Sequence, residues 1–305
     1  MTSNAETGRK RLTVKERYAD YVPEFLERSK QADRVSHEAV FQQANEHTRA
    51  LVNRIVGSLM KPDSRLLGFE HLKELYDRSQ AGESCLIVME HFSNFDIPGL
   101  YYLLMTQHGE VGREMADSIV AMAAAKLNEE NRIVRAFTES FTRIVIYPSR
   151  ALKAIVDPAK FAIERKRSNE INMSALREMI RRKKHGYIIL VFPTGTRYRA
   201  DKPDSARGLP EIDSYLKQFD HICPIGIGGN LLLVNPSGDM SEDWPNEDIM
   251  VYKAGELIKP RDFRLMCRAE CPGDYDPKQY TVDRLMDRLA ELHVEVEAVR
   301  EELGA

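Results

Sequence analysis

The sequence predicts an α/β protein: a mixed, largely parallel sheet covered by helices, preceded by a small N-terminal helical domain. Three observations carry that expectation. After Gly82, short apolar runs bounded by turn residues recur at Cys85–Met89, Ser118–Met122, Ile144–Tyr147, Tyr187–Phe192, Ile222–Ile227 and Phe263–Cys267. Helical stretches such as Ile97–Met105 and Ser174–Lys184 lie between several of them. The runs are apolar at consecutive positions, as strands covered on both faces must be.

Before Gly82 the spacing is helical. Phe41, Ala44, Thr48, Leu51, Ile55 and Leu59 recur at steps of three and four, predicting an amphipathic helix with Ser36 as N-cap and Pro62 just past its end. Tyr18, Tyr21, Val22, Phe25 and Leu26 suggest a shorter helix ahead of it, with Pro23 near its first turn. A further helix is expected over Phe69–Gln80, ending at Gly82. At the other end, Leu285, Leu289, Leu292, Val296 and Val299 keep helical spacing after Thr281, read as an N-cap. A length of 305 residues fits two domains, divided here into a helical unit over 1–80 and an α/β unit over 81–305.

Composition removes several classes. Forty-four basic against 47 acidic side chains leave a net charge of −3, which gives no global reason to bind nucleic acid. Cys85, Cys223, Cys267 and Cys271 are too scattered for a disulfide framework, and the C-x3-C pair lacks a second zinc-like pair. No cofactor or metal is therefore expected. No run of 18 apolar residues occurs, and the opening MTSNAETGRKRLTVKERYADY lacks the apolar stretch of a secretory signal. The expected location is cytoplasmic, and peripheral contact with the inner membrane face remains compatible with it.

Chemistry-bearing residues cluster at strand exits. Met89-Glu90-His91-Phe92-Ser93-Asn94-Phe95-Asp96 follows one apolar run and opens a helix. A carboxylate across that turn can hold the proton of one ring nitrogen and leave the other as a base. An exposed histidine and a helix-capping aspartate is the plain alternative. A second cluster is Val191-Phe192-Pro193-Thr194-Gly195-Thr196-Arg197-Tyr198-Arg199. Its R-x-R on a loop suits either an anion clamp or solvent. Arg150, with Lys153 one turn on, follows Ile144–Tyr147 as a second jaw or as ordinary surface charge. The basic end of the helix at Arg181, Arg182, Lys183 and Lys184 complements the helix dipole without any partner, with an acidic protein partner as the other reading.

In combination these blocks resemble the glycerolipid acyltransferase family, which includes glycerol-3-phosphate and 1-acylglycerol-3-phosphate acyltransferases. His91-x4-Asp96, the arginine near 150, the F-P-x-G-T-R block and Ile222-Cys223-Pro224-Ile225-Gly226-Ile227 stand in that family's order across residues 85–230. The stretch from Arg165 to Pro203, with its basic-Arg-Ser-Asn run, looks most like the soluble plastid-type glycerol-3-phosphate acyltransferases. Thr194 stands where that branch has serine and where the lysophosphatidate branch usually has glutamate. Two positions depart: Glu90 replaces a common Asn before the histidine, and Thr196 replaces the plastid type's second glycine.

The resemblance implies acyl transfer from a thioester to the sn-1 hydroxyl of glycerol 3-phosphate, in phospholipid biosynthesis. His91 would be the general base and Asp96 its orienting carboxylate. Arg150, Lys153, Arg197 and Arg199 would grip the acceptor phosphate, and Pro193, Gly195 and Thr196 would shape the loop. Backbone amides near the His91 turn are the expected oxyanion donors. Acyl-carrier protein, docked on Arg181–Lys184, or acyl-CoA would supply the acyl group. Three competitors remain at this point: a 1-acylglycerol-3-phosphate acyltransferase making phosphatidic acid, a non-catalytic lipid- or phosphate-binding protein with its site disabled by Glu90, and a hydrolase.

Overall fold

The computed structural model describes residues 11–30, 34–129, 131–237 and 239–305. The first ten residues, read above for a leader, lie outside them. Among the described residues ten strands form in chain order: β1 (Phe41–Gln42), β2 (Arg65–Leu67), β3 (Cys85–Met89), β4 (Ile119–Ala124), β5 (Arg143–Ile146), β6 (Ile188–Val191), β7 (His221–Gly228), β8 (Leu232–Leu233), β9 (Trp244–Pro245) and β10 (Val251–Ala254). Eight build one sheet in the order β1-β5-β4-β6-β3-β7-β10-β2, and β8 with β9 makes a small separate ribbon. The five central strands from β5 to β7 are mutually parallel, whereas β1 runs antiparallel to β5 and β10 antiparallel to β7. All five therefore end on one edge, the place where α/β sheets build sites.

Alternation along each strand feeds two cores. Cys85, Ile87 and Met89 face a core shared with Leu51, Ile55, Leu72, Leu100 and Leu104. Leu86 and Val88 face the opposite core, shared with Ala175, Met179, Phe263, Val282 and Leu285. Helices Glu46–Leu59, Phe69–Gln80 and Asp96–Gln107 thus cover one face, and Pro158–Lys183, Pro260–Glu270 and Pro277–Glu302 cover the other. The fold is the expected α/β class. The last helix lies very close to β7: a Cβ at Gly226 would sit 2.7 Å from the Leu292 Cβ, so glycine is what this approach requires.

Several elements differ from the sequence reading, each for an identifiable reason. The helix expected from Ser36 begins at Glu46, capped by the Asn45 side chain on the His47 and Thr48 amides, because Phe41 and Gln42 are drawn into pairing with β5. The described residues before 81 are mainly helical, and they also supply both edge strands and share the first core with the sheet. Phe263–Cys267 is helix and not strand. Pro260 opens it, and Phe263 and Cys267 are buried at i, i+4 while Leu265, which a strand would place beside them, is exposed. The closing helix starts at Pro277 on an Asp276 cap, one turn before Thr281.

Candidate active site

His91 leaves the carboxyl end of β3, and Asp96 is the first residue of the helix that follows. The His91 Nδ1 lies 2.9 Å from the Asp96 Oδ2. The same oxygen accepts the Phe92 amide at 2.7 Å and the Ser93 amide at 2.9 Å, while Oδ1 accepts the Ser93 hydroxyl at 3.0 Å. A carboxylate surrounded by donors is held as an acceptor, so Nδ1 carries the shared hydrogen and Nε2 carries the lone pair. Among the described residues Nε2 has no hydrogen-bond partner. The Asp96 side chain is 2% exposed and the His91 side chain 15%, which leaves only the ring accessible.

The turn is braced on three sides. The Phe192 ring stacks on His91 with centroids 3.8 Å apart and planes 9° from parallel. The Tyr198 amide donates to the His91 carbonyl at 2.7 Å, joining the loop after β6 to the turn after β3. From β10, the Tyr252 hydroxyl donates to the Asp96 carbonyl at 2.9 Å, and burial beside Asp96 keeps that phenol protonated. Gly99 makes room for it, since a Cβ there would meet the Tyr252 oxygen at 2.4 Å.

Strand order decides which expected residues meet. β6 is the neighbour of β3, so Pro193, Gly195, Thr196, Arg197 and Arg199 emerge beside His91. Gly195 adopts φ +61° and the Thr194 hydroxyl donates to the Thr196 carbonyl at 2.7 Å, which tightens the loop. Arg197 uses Nη1 on Asp243, whose side chain is fully buried, and its other guanidinium donors are unbonded among the described residues. Burial pushes the Asp243 carboxyl up and the Arg197 charge opposes it. Arg199 forms a fork with Asp201 through Nε at 3.1 Å and Nη2 at 3.2 Å. Arg150 and Lys153 are exposed beyond β5, three strand positions from β3, or about 14 Å along the edge at the usual spacing. They share the edge with His91 without touching it.

Of the expected oxyanion donors, the Phe92 and Ser93 amides bind Asp96 and the Phe95 amide binds the Ser93 hydroxyl, whereas the His91 and Asn94 amides are unbonded among the described residues. Glu90 turns away from the imidazole. Its Oε2 accepts the Ile227 amide at 2.8 Å and lies 3.2 Å from the His293 Nδ1, on the closing helix. That link was invisible in sequence, because 203 positions separate the two residues. By contrast, Ser93 and Asp96 stand only three positions apart within the turn, so their contact is local in sequence.

The Glu90 carboxylate raises the His293 pKa above 6.5, against the opposing effect of partial burial, with Glu297 adding from its own helix. A group with a raised folded pKa binds extra protons in the folded state. Its stabilisation is full below the unfolded value and disappears as pH rises through the folded one. His293→Gln should therefore lower Tm clearly near pH 6 and much less near pH 9. A Tm difference independent of pH would remove the charge from this link.

A histidine held by a buried carboxylate thus lies beside an arginine-bearing loop at the carboxyl edge of a parallel sheet. A family model described as Acyltransferase matches residues 70–227, just over half of the chain. The chain therefore belongs to the acyltransferase family of glycerolipid synthesis. A search of curated proteins finds no match. No described helix is long and apolar enough to cross a membrane, and no metal-type cluster of His, Cys, Asp and Glu occurs among the described residues.

Proposed function

We propose that the protein transfers a fatty acyl group from an acyl-carrier protein or CoA thioester to the sn-1 hydroxyl of glycerol 3-phosphate. The observation that carries this reading is the one-sided imidazole, with Nδ1 held by Asp96 and Nε2 unbonded. Nε2 takes the hydroxyl proton as the oxygen attacks the thioester carbonyl. The tetrahedral intermediate expels the thiolate, which recovers that proton from His91. Asp96 stays ionised and supports the imidazolium in between. No G-x-S-x-G elbow occurs in the sequence, which favours direct transfer over an acyl-enzyme. With the Phe92, Ser93 and Phe95 amides engaged, the oxyanion donors are left to the unbonded His91 and Asn94 amides of the turn and the Thr196 and Arg197 amides of the neighbouring loop.

Arg199, Arg150, Lys153 and the spare donors of Arg197 hold the acceptor phosphate, bringing the hydroxyl to His91. Losing one charge-assisted contact costs about 1.5–3 kcal/mol, or roughly a ten- to hundredfold rise in KM. Arg199→Ala should raise the glycerol 3-phosphate KM by that amount with kcat little changed. A raised donor KM with an unaltered acceptor KM would move Arg199 to the donor side. Arg197→Ala is a poorer probe, because it also strands the buried Asp243.

Glycerol 3-phosphate is preferred because Thr194 replaces the glutamate of the lysophosphatidate branch and the Arg165–Asn169 run fits the soluble one. Thr196, shared with the wider family, favours 1-acylglycerol 3-phosphate. The engagement of Glu90 by Ile227 and His293 argues against a disabled site. The deciding assay measures thiol release without acceptor and with each acceptor. Release with glycerol 3-phosphate alone supports the proposal. Preference for the lysolipid overturns the acceptor, release without acceptor indicates a hydrolase, and no release indicates a binding protein.

A further inference from the structure

The helix Pro158–Lys183 is anchored by Ile171, Ala175 and Met179, which are buried. Its opposite face is uncovered. Met173 is 54% exposed, Leu176 38% and Ile180 37%, at i, i+3, i+7 spacing that sets them on one side. Arg177, Arg181 and Lys184 are exposed beside them. Arg177 and Lys184 have no acidic partner among the described residues, while Arg181 pairs with Glu178 at 3.4 Å. The whole helix carries eight Lys and Arg against three Glu, a surplus of five positive charges in a chain whose net charge is −3.

We infer that the Met173–Lys184 face is a docking surface for an anionic lipid bilayer. Two features together select this occupant. Apolar side chains of this kind enter the headgroup and acyl boundary, and flanking cations meet anionic headgroups; neither alone gives stable attachment. Three exposed cations on this face, Arg177, Arg181 and Lys184, in a chain of negative net charge orient the molecule at a negatively charged surface. The exposed row is short, so attachment is reversible and depends on salt. Of the Arg181–Lys184 cluster read in sequence as a carrier-protein dock, Arg181 and Lys184 are thereby assigned to lipid headgroups, whereas Arg182 lies over the Phe41 ring and Lys183 bonds the Gln218 carbonyl. The inference holds whichever acceptor the active site uses.

The test is sedimentation of the full chain with phosphatidylglycerol vesicles and with phosphatidylcholine vesicles, at low and high salt. Binding is read without turnover, so its failure is separate from failure of the proposed acyl transfer. Wild type should partition to the anionic vesicles at least tenfold more strongly, with the preference lost at high salt. Met173→Ser/Leu176→Ser/Ile180→Ser and Arg177→Gln/Arg181→Gln/Lys184→Gln should each weaken that partition tenfold or more with Tm unchanged, since all six side chains are exposed. Equal partition to both lipids, or a serine variant binding as wild type, would overturn the inference. So would a dimer in solution that the serine variant splits, or a raised acyl-carrier-protein KM in that variant with vesicle binding intact.

Discussion

His91→Ala is expected to lower kcat by roughly 10²–10⁴ while leaving the far-ultraviolet circular dichroism spectrum unaltered, because removal of a general base typically costs that much. The ring is held by the Asp96 Oδ2 at 2.9 Å and by stacking on Phe192, and neither contact sustains the fold on its own. The Asp96 carboxylate keeps its Phe92 and Ser93 donors in the variant, so the turn should stay closed. The acceptor KM should change little, since the phosphate is assigned to arginines on other loops. Steady-state kinetics on folded protein is the check. A kcat within a few-fold of wild type would take the base away from His91.

The contrast between what was readable and what was hidden follows sequence separation. β3 was legible residue for residue as Cys85–Met89, because five consecutive apolar positions between turn residues admit few alternatives. Helix Phe69–Gln80 was equally plain from its period. β1 and β2 were missed because two and three residues carry no periodicity, and only pairing with β5 and β10 defines them. Phe263–Cys267 misled because five residues with apolar ends fit either period, and Pro260 was the deciding sign. At the site, His91 and Asp96 were close in sequence and their contact was foreseeable. Phe192, Tyr252, Asp243 and His293 were not, since Phe192 and Tyr252 reach the site through the sheet, His293 through the closing helix and Asp243 from the segment just before β9.

The arginine assignment shows how structure redistributes a motif's roles. In sequence Arg197 and Arg199 are equivalent members of an R-x-R pair. In the fold Arg197 neutralises a carboxylate with no exposure, whereas the Arg199 partner, Asp201, is 60% exposed. A salt bridge to a buried charge cannot be exchanged without stranding that charge, but one to an exposed carboxylate is worth about 0–1 kcal/mol and yields readily to a phosphate. Arg199 is thus the arginine free to change partners, and Arg197 the one that fixes the loop against Asp243, which also accepts the Asn235 amide.

Asp96→Asn should prove nearly as damaging as loss of His91, with kcat lowered by about 10²–10⁴, for reasons the local geometry makes specific. An amide has one acceptor oxygen where the carboxylate has two. With that oxygen at the Oδ2 position, the bonds to His91, Phe92 and Ser93 survive, but no negative charge supports the imidazolium that forms during transfer. With the amide reversed, its NH2 faces Nδ1, forces the ring proton onto Nε2 and leaves nothing to accept the substrate proton. Both placements cost activity. The first placement sets an amide hydrogen against the Ser93 hydroxyl, which already accepts the Phe95 amide at 3.0 Å, and the second sets the NH2 against the Phe92 and Ser93 amides, so a stability loss of about 1–3 kcal/mol in urea unfolding should accompany either. The decisive comparison is His91→Ala/Asp96→Asn. If Asp96 acts only through His91, the double variant should be no slower than His91→Ala alone, as groups working as one unit are non-additive. Losses that multiply would mean that Asp96 serves the reaction by a route that does not pass through the imidazole.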